Sequence, residues 1–251
     1  MPCKNCTCKS CVNHSETKLN ILTYDKLNLD LERNCMILYC SGRNSGKSFS
    51  IQNLVYEMLK KKKYDIIYVF SNTAQISHTD KSYEFVNKHF IFRSNEMDKT
   101  VTQIINSQMK LKDKGLSLLL IFDDIIIEQT PVLNLLATQG RHYGITVIIS
   151  SQKASTLISS QIRSNFDYLF WRKINTEDIK DFIYSMLSNT DHTSKEIVEL
   201  THNNTDDYKF LMYDNTIDSK DNIVCVKAKK VKFVFKIKNF NLNGKKKNID
   251  T

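Results

Sequence analysis

Glycine and proline are scarce. The 251 residues include six Gly and two Pro, so no Gly/Ser-rich or proline-rich spacer divides the chain. A run of about 18 consecutive apolar residues, the length a membrane-crossing helix needs, does not occur. Internal repeats are missing as well. The N-terminus is polar and rich in cysteine, unlike the basic-then-apolar pattern of a secretory signal. Nothing in the cysteine spacing resembles a secreted disulfide framework. Together these absences lead us to expect a soluble protein in a reducing compartment. The length is generous for one domain and short for two, so one large α/β domain with small appendages is expected.

Acidic residues are missing from one long stretch. Between Lys227 and Lys247 there are nine lysines and no Asp or Glu, while the whole chain carries a formal charge of +9. The remainder is therefore formally neutral. Two readings stand side by side: a contact for a phosphate backbone, with Lys245, Lys246 and Lys247 as candidate DNA-binding residues, or a solvated strand face ahead of a frayed, soluble end.

Hydrophobic residues make up 41% of the chain, enough for a core. Strand-like apolar runs fall at residues 36–39, 66–70, 117–122, 145–150 and 168–171, with helical patterns between them. Apolar residues at Ile51, Leu54, Val55, Met58 and Leu59 mark one face of a helix. A second helix is expected within 100–112 with Ile104, Ile105 and Met109 inward. A third is expected over 132–141 with Pro131 at its start, and a fourth, capped by Thr176, through Leu187. Strands alternating with helices imply a mostly parallel sheet covered on both faces. Residues 231–238 alternate and read as a half-exposed edge strand paired with 222–227, a small β extension.

The run Ser41-Gly42-Arg43-Asn44-Ser45-Gly46-Lys47-Ser48 follows the first apolar strand and precedes the first helix. That strand–loop–helix order is what phosphate binding requires: backbone N–H groups and a helix N-terminus cradle the anion. Lys47 would reach the β- and γ-phosphates, and the Ser48 hydroxyl would take one Mg²⁺ position. The candidate nucleotide-binding residues are Gly42, Arg43, Asn44, Ser45, Gly46, Lys47, Ser48 and Phe49. Downstream, the apolar strand Leu118-Leu119-Leu120-Ile121-Phe122 ends in Asp123 and Asp124. Asp123 can hold Mg²⁺ through water, and Asp124 can polarise an attacking water. Gly140-Arg141-His142-Tyr143-Gly144 then leads into a strand ending at Gln152. Arg141 has two readings, an ordinary helix-end cation or an arginine finger reaching a neighbouring subunit's nucleotide.

The succession "GRNSGKS", "LLLIFDD", "GRHYGITVIISSQ" and "IRSNFDYLFWRK" resembles the FtsK–HerA superfamily of DNA-pumping P-loop ATPases. Within it, the chain is similar to the virion DNA-packaging ATPases of poxviruses, other large DNA viruses and virophages. The resemblance runs from Met36 to about Lys173. It implies a RecA-like core of five parallel strands in which the Gln strand lies beside the acid strand. It also implies a Walker A loop at Lys47 and Ser48, Walker B acids at Asp123 (Mg²⁺) and Asp124 (base), Gln152 as sensor and Arg141 as candidate finger. The partners it implies are double-stranded DNA, further copies in a pentameric or hexameric ring, and capsid or virion proteins, with ATP as fuel, at a viral assembly site in the host cytoplasm or in the virion. Two residues of the loop depart from the pattern. Ser41 stands at the first loop glycine, and Asn44 stands where many members have another glycine, though Asn tolerates a left-handed backbone. Asp124 is one methylene shorter than the usual Glu.

On this basis residues 1–20 form a cysteine-rich head, 21–215 an ATPase domain and 216–251 a basic β extension and tail. In the head, Cys3, Cys6, Cys8 and Cys11 have zinc-knuckle spacing. Only Thr7 separates the two pairs, so a zinc site and a disordered head with incidental thiols both remain open. Cys35, Cys40 and Cys225 read as buried thiols. Two other functions stay in view. One is a nucleoside kinase of the thymidine kinase type, which shares the phosphate loop but carries its cysteine cluster late in the chain. The other is a degenerate ATPase that only binds DNA.

Overall fold

Successive residues of β2 (Met36–Cys40) serve two different cores. Met36, Leu38 and Cys40 join one hydrophobic cluster, while Ile37 and Tyr39 join the other. A strand buried on both faces must be apolar throughout, which is why these central strands read as continuous runs rather than alternating ones. The computed structural model describes residues 18–74, 82–111, 115–124, 131–153, 160–187, 190–219 and 222–233. Cys3, Cys6, Cys8, Cys11, Lys245, Lys246 and Lys247 lie outside the described residues, as does the 234–238 part of the expected edge strand.

Among the described residues nine strands form one sheet in the order β1-β9-β8-β7-β2-β6-β5-β3-β4. Besides β2 they are β1 (Ile21–Thr23), β3 (Ile66–Ser71), β4 (Ile91–Phe92), β5 (Leu118–Asp123), β6 (Ile145–Ser151), β7 (Tyr168–Trp171), β8 (Lys209–Asp214) and β9 (Ile223–Lys227). From β7 to β4 every pairing is parallel; β8 runs antiparallel to both β7 and β9. The middle of the sheet, β7-β2-β6-β5-β3, is the RecA-like core that the resemblance implies. Among the described residues the α-helical segments are α1 (Lys47–Lys61), α2 (Met97–Leu111), α3 (Pro131–Gln139), α4 (Ser160–Asn165), α5 (Thr176–Asp178), α6 (Tyr184–Met186) and α7 (Ser194–Asn204). One face of the sheet is covered by α1, through Ile51, Leu54, Val55 and Met58. Each is at most 1% exposed, and burying such a side chain contributes about 2 kcal/mol. Residues of α2, α3, α4 and α7 pack on the opposite face.

Several expectations change. Met109 points outward (53% exposed), and Gln108 takes the buried position on α2. The amide of Gln108 is satisfied there: it donates to the Leu116 and Tyr143 carbonyls and accepts from the Leu116 N–H. The helix after β7 is capped by Asn175 instead of Thr176: the Asn175 side chain accepts from the Asp178 N–H at 2.7 Å. Asn is the better N-cap and stands one residue earlier. That helix also widens into a π-turn over Ile179–Ile183. The 231–233 part of the expected pairing with 222–227 does not form. Both sides of β9 are taken, by β8 and by β1, and residues 231–233 are not strand. Phe233 packs instead against Tyr56 and Phe85. Cys35, Cys40 and Cys225 are buried as expected, and burial pushes the Cys35 and Cys40 thiols up to about 12.

Candidate nucleotide site

Parallel strands present their C-terminal ends to one edge of the sheet, the usual place for ligands in open α/β folds. Here β2, β5 and β6 deliver the phosphate loop, Asp123-Asp124 and Gln152 to that edge together, because β6 lies between β2 and β5. Residues 42–49, Asp123 and Asp124 line a cavity of about 290 Å³, with Thr73 on its wall.

The loop turns on two left-handed residues, Asn44 (φ 55°) and Gly46 (φ 84°). A Cβ on Gly46 would stand 3.0 Å from the Tyr208 ring, so backbone and space both require glycine there. Ser41 needs no such freedom. It is fully buried, and its hydroxyl pairs with the Ser45 hydroxyl at 2.6 Å. Its N–H donates to the Ser151 carbonyl at 3.2 Å, and its carbonyl accepts from Lys47 Nζ at 2.8 Å. The serine at the missing-glycine position thus knots the two ends of the loop. From below, Arg172 donates to the Ser45 carbonyl at 2.8 Å while its guanidinium lies 4.9 Å from the centre of the Tyr208 ring.

Asp123 is 3% exposed and accepts three hydroxyl protons. Ser48 (2.9 Å) and Tyr83 (2.8 Å) donate to Oδ2, and Ser150 (2.8 Å) donates to Oδ1. Because Ser48 gives its proton to the carboxylate, its lone pairs are free for a cation. These oxygen donors suit a hard ion such as Mg²⁺. Asp124 follows in a left-handed conformation (φ 55°), with its N–H on Ser150 Oγ at 3.2 Å. This unusual backbone swings its carboxylate toward the loop. Oδ1 lies 3.7 Å from Lys47 Nζ, and Oδ2 accepts from the Gln152 amide. Lys47, Asp124 and Gln152 therefore converge where a terminal phosphate would sit.

Arg141 is elsewhere. It lies in the 3₁₀ turn Gly140–Tyr143 before β6, so the seven residues of that strand, roughly 20 Å at ~3.3 Å each, separate it from Gln152. It donates to the Asn165 carbonyl at 2.8 Å and lies 3.6 Å from Asp167. Asp167 also holds the Met36 N–H at 2.7 Å and Arg33 at 3.0 Å. Burial pushes its carboxyl above the ordinary value even with both arginines nearby. Within one chain Arg141 does not reach the nucleotide loop; its side chain is 41% exposed at the opposite edge of the sheet.

Sequence reasoning missed Tyr83, Ser150, Arg172 and Tyr208. Ser150 had a legible signal, being polar near the end of an apolar strand; the others are brought in by loops.

No protein-family model matches the chain, and no curated protein does. Solved structures do. The B204 DNA-packaging ATPase of Sulfolobus turreted icosahedral virus superposes with a TM-score of 0.57 at 18% identity, over 79% of this chain and 100% of that one. The fold is that of a P-loop ATPase. The genome-packaging NTPase B204 of Sulfolobus turreted icosahedral virus 2, in complex with ATPγS, gives 0.54 at 17% identity over 80% of this chain and 99% of that one. The pCW3 conjugation coupling protein TcpA, also with ATPγS, gives 0.57 at 15% identity over 80% of this chain and 61% of that one. A DNA-packaging ATPase, a genome-packaging NTPase and a conjugation coupling protein are thus among the solved structures that share this fold.

Proposed function

We propose that the protein is an ATP-hydrolysing motor that moves double-stranded DNA into a viral capsid. The observation that carries this reading is the insertion of β6 between the loop strand and the acid strand, which sets Gln152 on Asp124 and both beside Lys47. The fold shared with packaging and coupling ATPases, some holding ATP analogues, supports it.

In this reading the phosphates lie along residues 42–49, on loop N–H groups and the N-terminus of α1. Lys47 leaves Asp124 for the terminal phosphate, its stronger partner. The freed Asp124 carboxylate takes a proton from water, while the Gln152 amide orients that water. Mg²⁺, held by Ser48 and, through water, by Asp123, would neutralise the developing charge on the phosphates.

Arg141, out of reach in its own chain and half-exposed, acts on the nucleotide of the next copy in a pentameric or hexameric ring. DNA would be gripped by the lysine-rich C-terminal stretch, and the ring would dock on capsid proteins at the assembly site in the host cytoplasm. Among the described residues no helix is long and apolar enough to cross a membrane. Phosphate release with and without duplex DNA, measured alongside solution mass, tests this reading. We expect DNA-stimulated hydrolysis by an oligomer, and loss of hydrolysis with the oligomer intact in Arg141→Ala. Phosphorylation of an added nucleoside without DNA dependence would replace it with a kinase.

A further inference from the structure

Tyr83 is 3% exposed and donates its phenolic proton to Asp123 Oδ2, the oxygen that also receives Ser48. It comes from the turn at residues 82–86, closed by the Val86 N–H on the Tyr83 carbonyl at 2.9 Å. Two elements of the described structure brace the outer side of that turn. Gln52 of α1 donates to the Ser82 carbonyl at 2.6 Å. Phe85 stacks on Phe233 with ring centroids 3.9 Å apart and planes 10° from parallel, and Phe233 meets Tyr56 of α1 edge-on at 5.7 Å. Residues 228–233 are themselves tied to α1, since the Lys229 N–H donates to Asn53 Oδ1 at 2.9 Å. A cavity of about 360 Å³ opens among Gln52, Glu84, Phe85, Val231 and Phe233. Tyr83 and Val86 anchor the inner side of the turn in the hydrophobic core beside α1, and the Phe85–Phe233 stack braces its outer side next to this cavity.

We propose that residues 228–233 act as a strap which, through Phe233 on Phe85, keeps the Tyr83 hydroxyl on Asp123, making Tyr83 a positioning residue for the metal-binding acid. The proposal rests on the reading of Asp123 given above. A carboxylate with three hydroxyl donors has its rotation fixed; without the phenol, Oδ2 retains only Ser48, the group that the cation also draws on. The strap is also the first part of the lysine-rich stretch, with Lys229, Lys230 and Lys232 on it. That stretch is thereby joined to the metal acid by four residues in contact: Phe233, Phe85, Tyr83 and Asp123.

The test is Mn²⁺ binding in the presence of ADP, read by electron paramagnetic resonance, on full-length wild type, Tyr83→Phe, Phe233→Ala and the double variant, with thermal midpoints to confirm folding. Each single change is expected to weaken Mn²⁺ binding about tenfold, the effect of losing one hydrogen bond to a charged group. The double variant should bind no more weakly than Tyr83→Phe, because Phe233 acts through that hydroxyl. Phe233→Tyr, which keeps the ring stack, should retain wild-type affinity. If Phe233→Ala does not fold, Phe233→Leu, which keeps apolar volume without the stack, carries the same expectation. Wild-type affinity in folded Phe233→Ala or Phe233→Leu, or single losses that multiply to about a hundredfold in the double variant, would overturn the proposal. Failure of the wild type to bind Mn²⁺ with ADP would instead remove the nucleotide-site reading beneath it.

Discussion

Restoring the usual glycine at position 41 should harm this protein. Ser41 is completely buried, and its hydroxyl bonds the Ser45 hydroxyl at 2.6 Å across the phosphate loop. Ser41→Ala removes that bond, at a cost of about 1 kcal/mol. Ser41→Gly removes it too and adds unfolded-state freedom, for about 2 kcal/mol in total. In a chain of this size each 1 kcal/mol corresponds to about 3 °C in Tm, so the glycine variant should melt about 6 °C lower. The loop must also be re-ordered when phosphate binds. If about 1 kcal/mol of that ordering is lost, ADP affinity falls about fivefold. Urea unfolding and calorimetric ADP titration of the two variants measure both effects. A Ser41→Gly protein as stable as wild type, or one that binds ADP more tightly, would refute the idea that the serine pair organises the loop.

Three further outcomes follow from the geometry. Asp123→Asn should abolish Mg²⁺-dependent phosphate release while leaving the fold intact, measured by release rate and circular dichroism, because the neutral amide no longer balances the cation. Gly144→Ala should cost about 2 kcal/mol or more in urea unfolding: Gly144 has φ 71°, and a Cβ there would stand 2.8 Å from the Leu116 carbonyl oxygen. Thr201→Val should cost about 2 kcal/mol, since buried Trp171 donates its indole N–H to Thr201 Oγ1 at 2.8 Å and would be left facing methyl groups.

The parallel core was legible because β2, β5 and β6 are buried on both faces, with apolar runs at Met36–Cys40, Leu118–Phe122 and Val147–Ile149. The loop and acids were legible because phosphate chemistry ties residue types to strand ends. β8 and α7 were missed although the apolar run of residues 210–213 was available. Gln108 against Met109 shows the limit of periodicity: adjacent positions differ by about 100° around a helix, and a polar residue won the inward place because two carbonyls and an N–H waited there. Residues 231–233 do not form the expected edge pairing, and β1, only three residues long, pairs with the outer side of β9 at Cys225–Lys227. Tyr83 could not be read at all. Its role depends on a turn 40 residues from Asp123 in sequence, and no local pattern marks it.

Movement along duplex DNA is the central claim, and displacement of a third strand from a triplex tests it most directly. Purified protein with ATP and Mg²⁺ on a duplex carrying a bound third strand should release that strand, and Lys47→Ala should release none. ATP hydrolysis with the third strand left in place, or equal release by Lys47→Ala, would contradict the account.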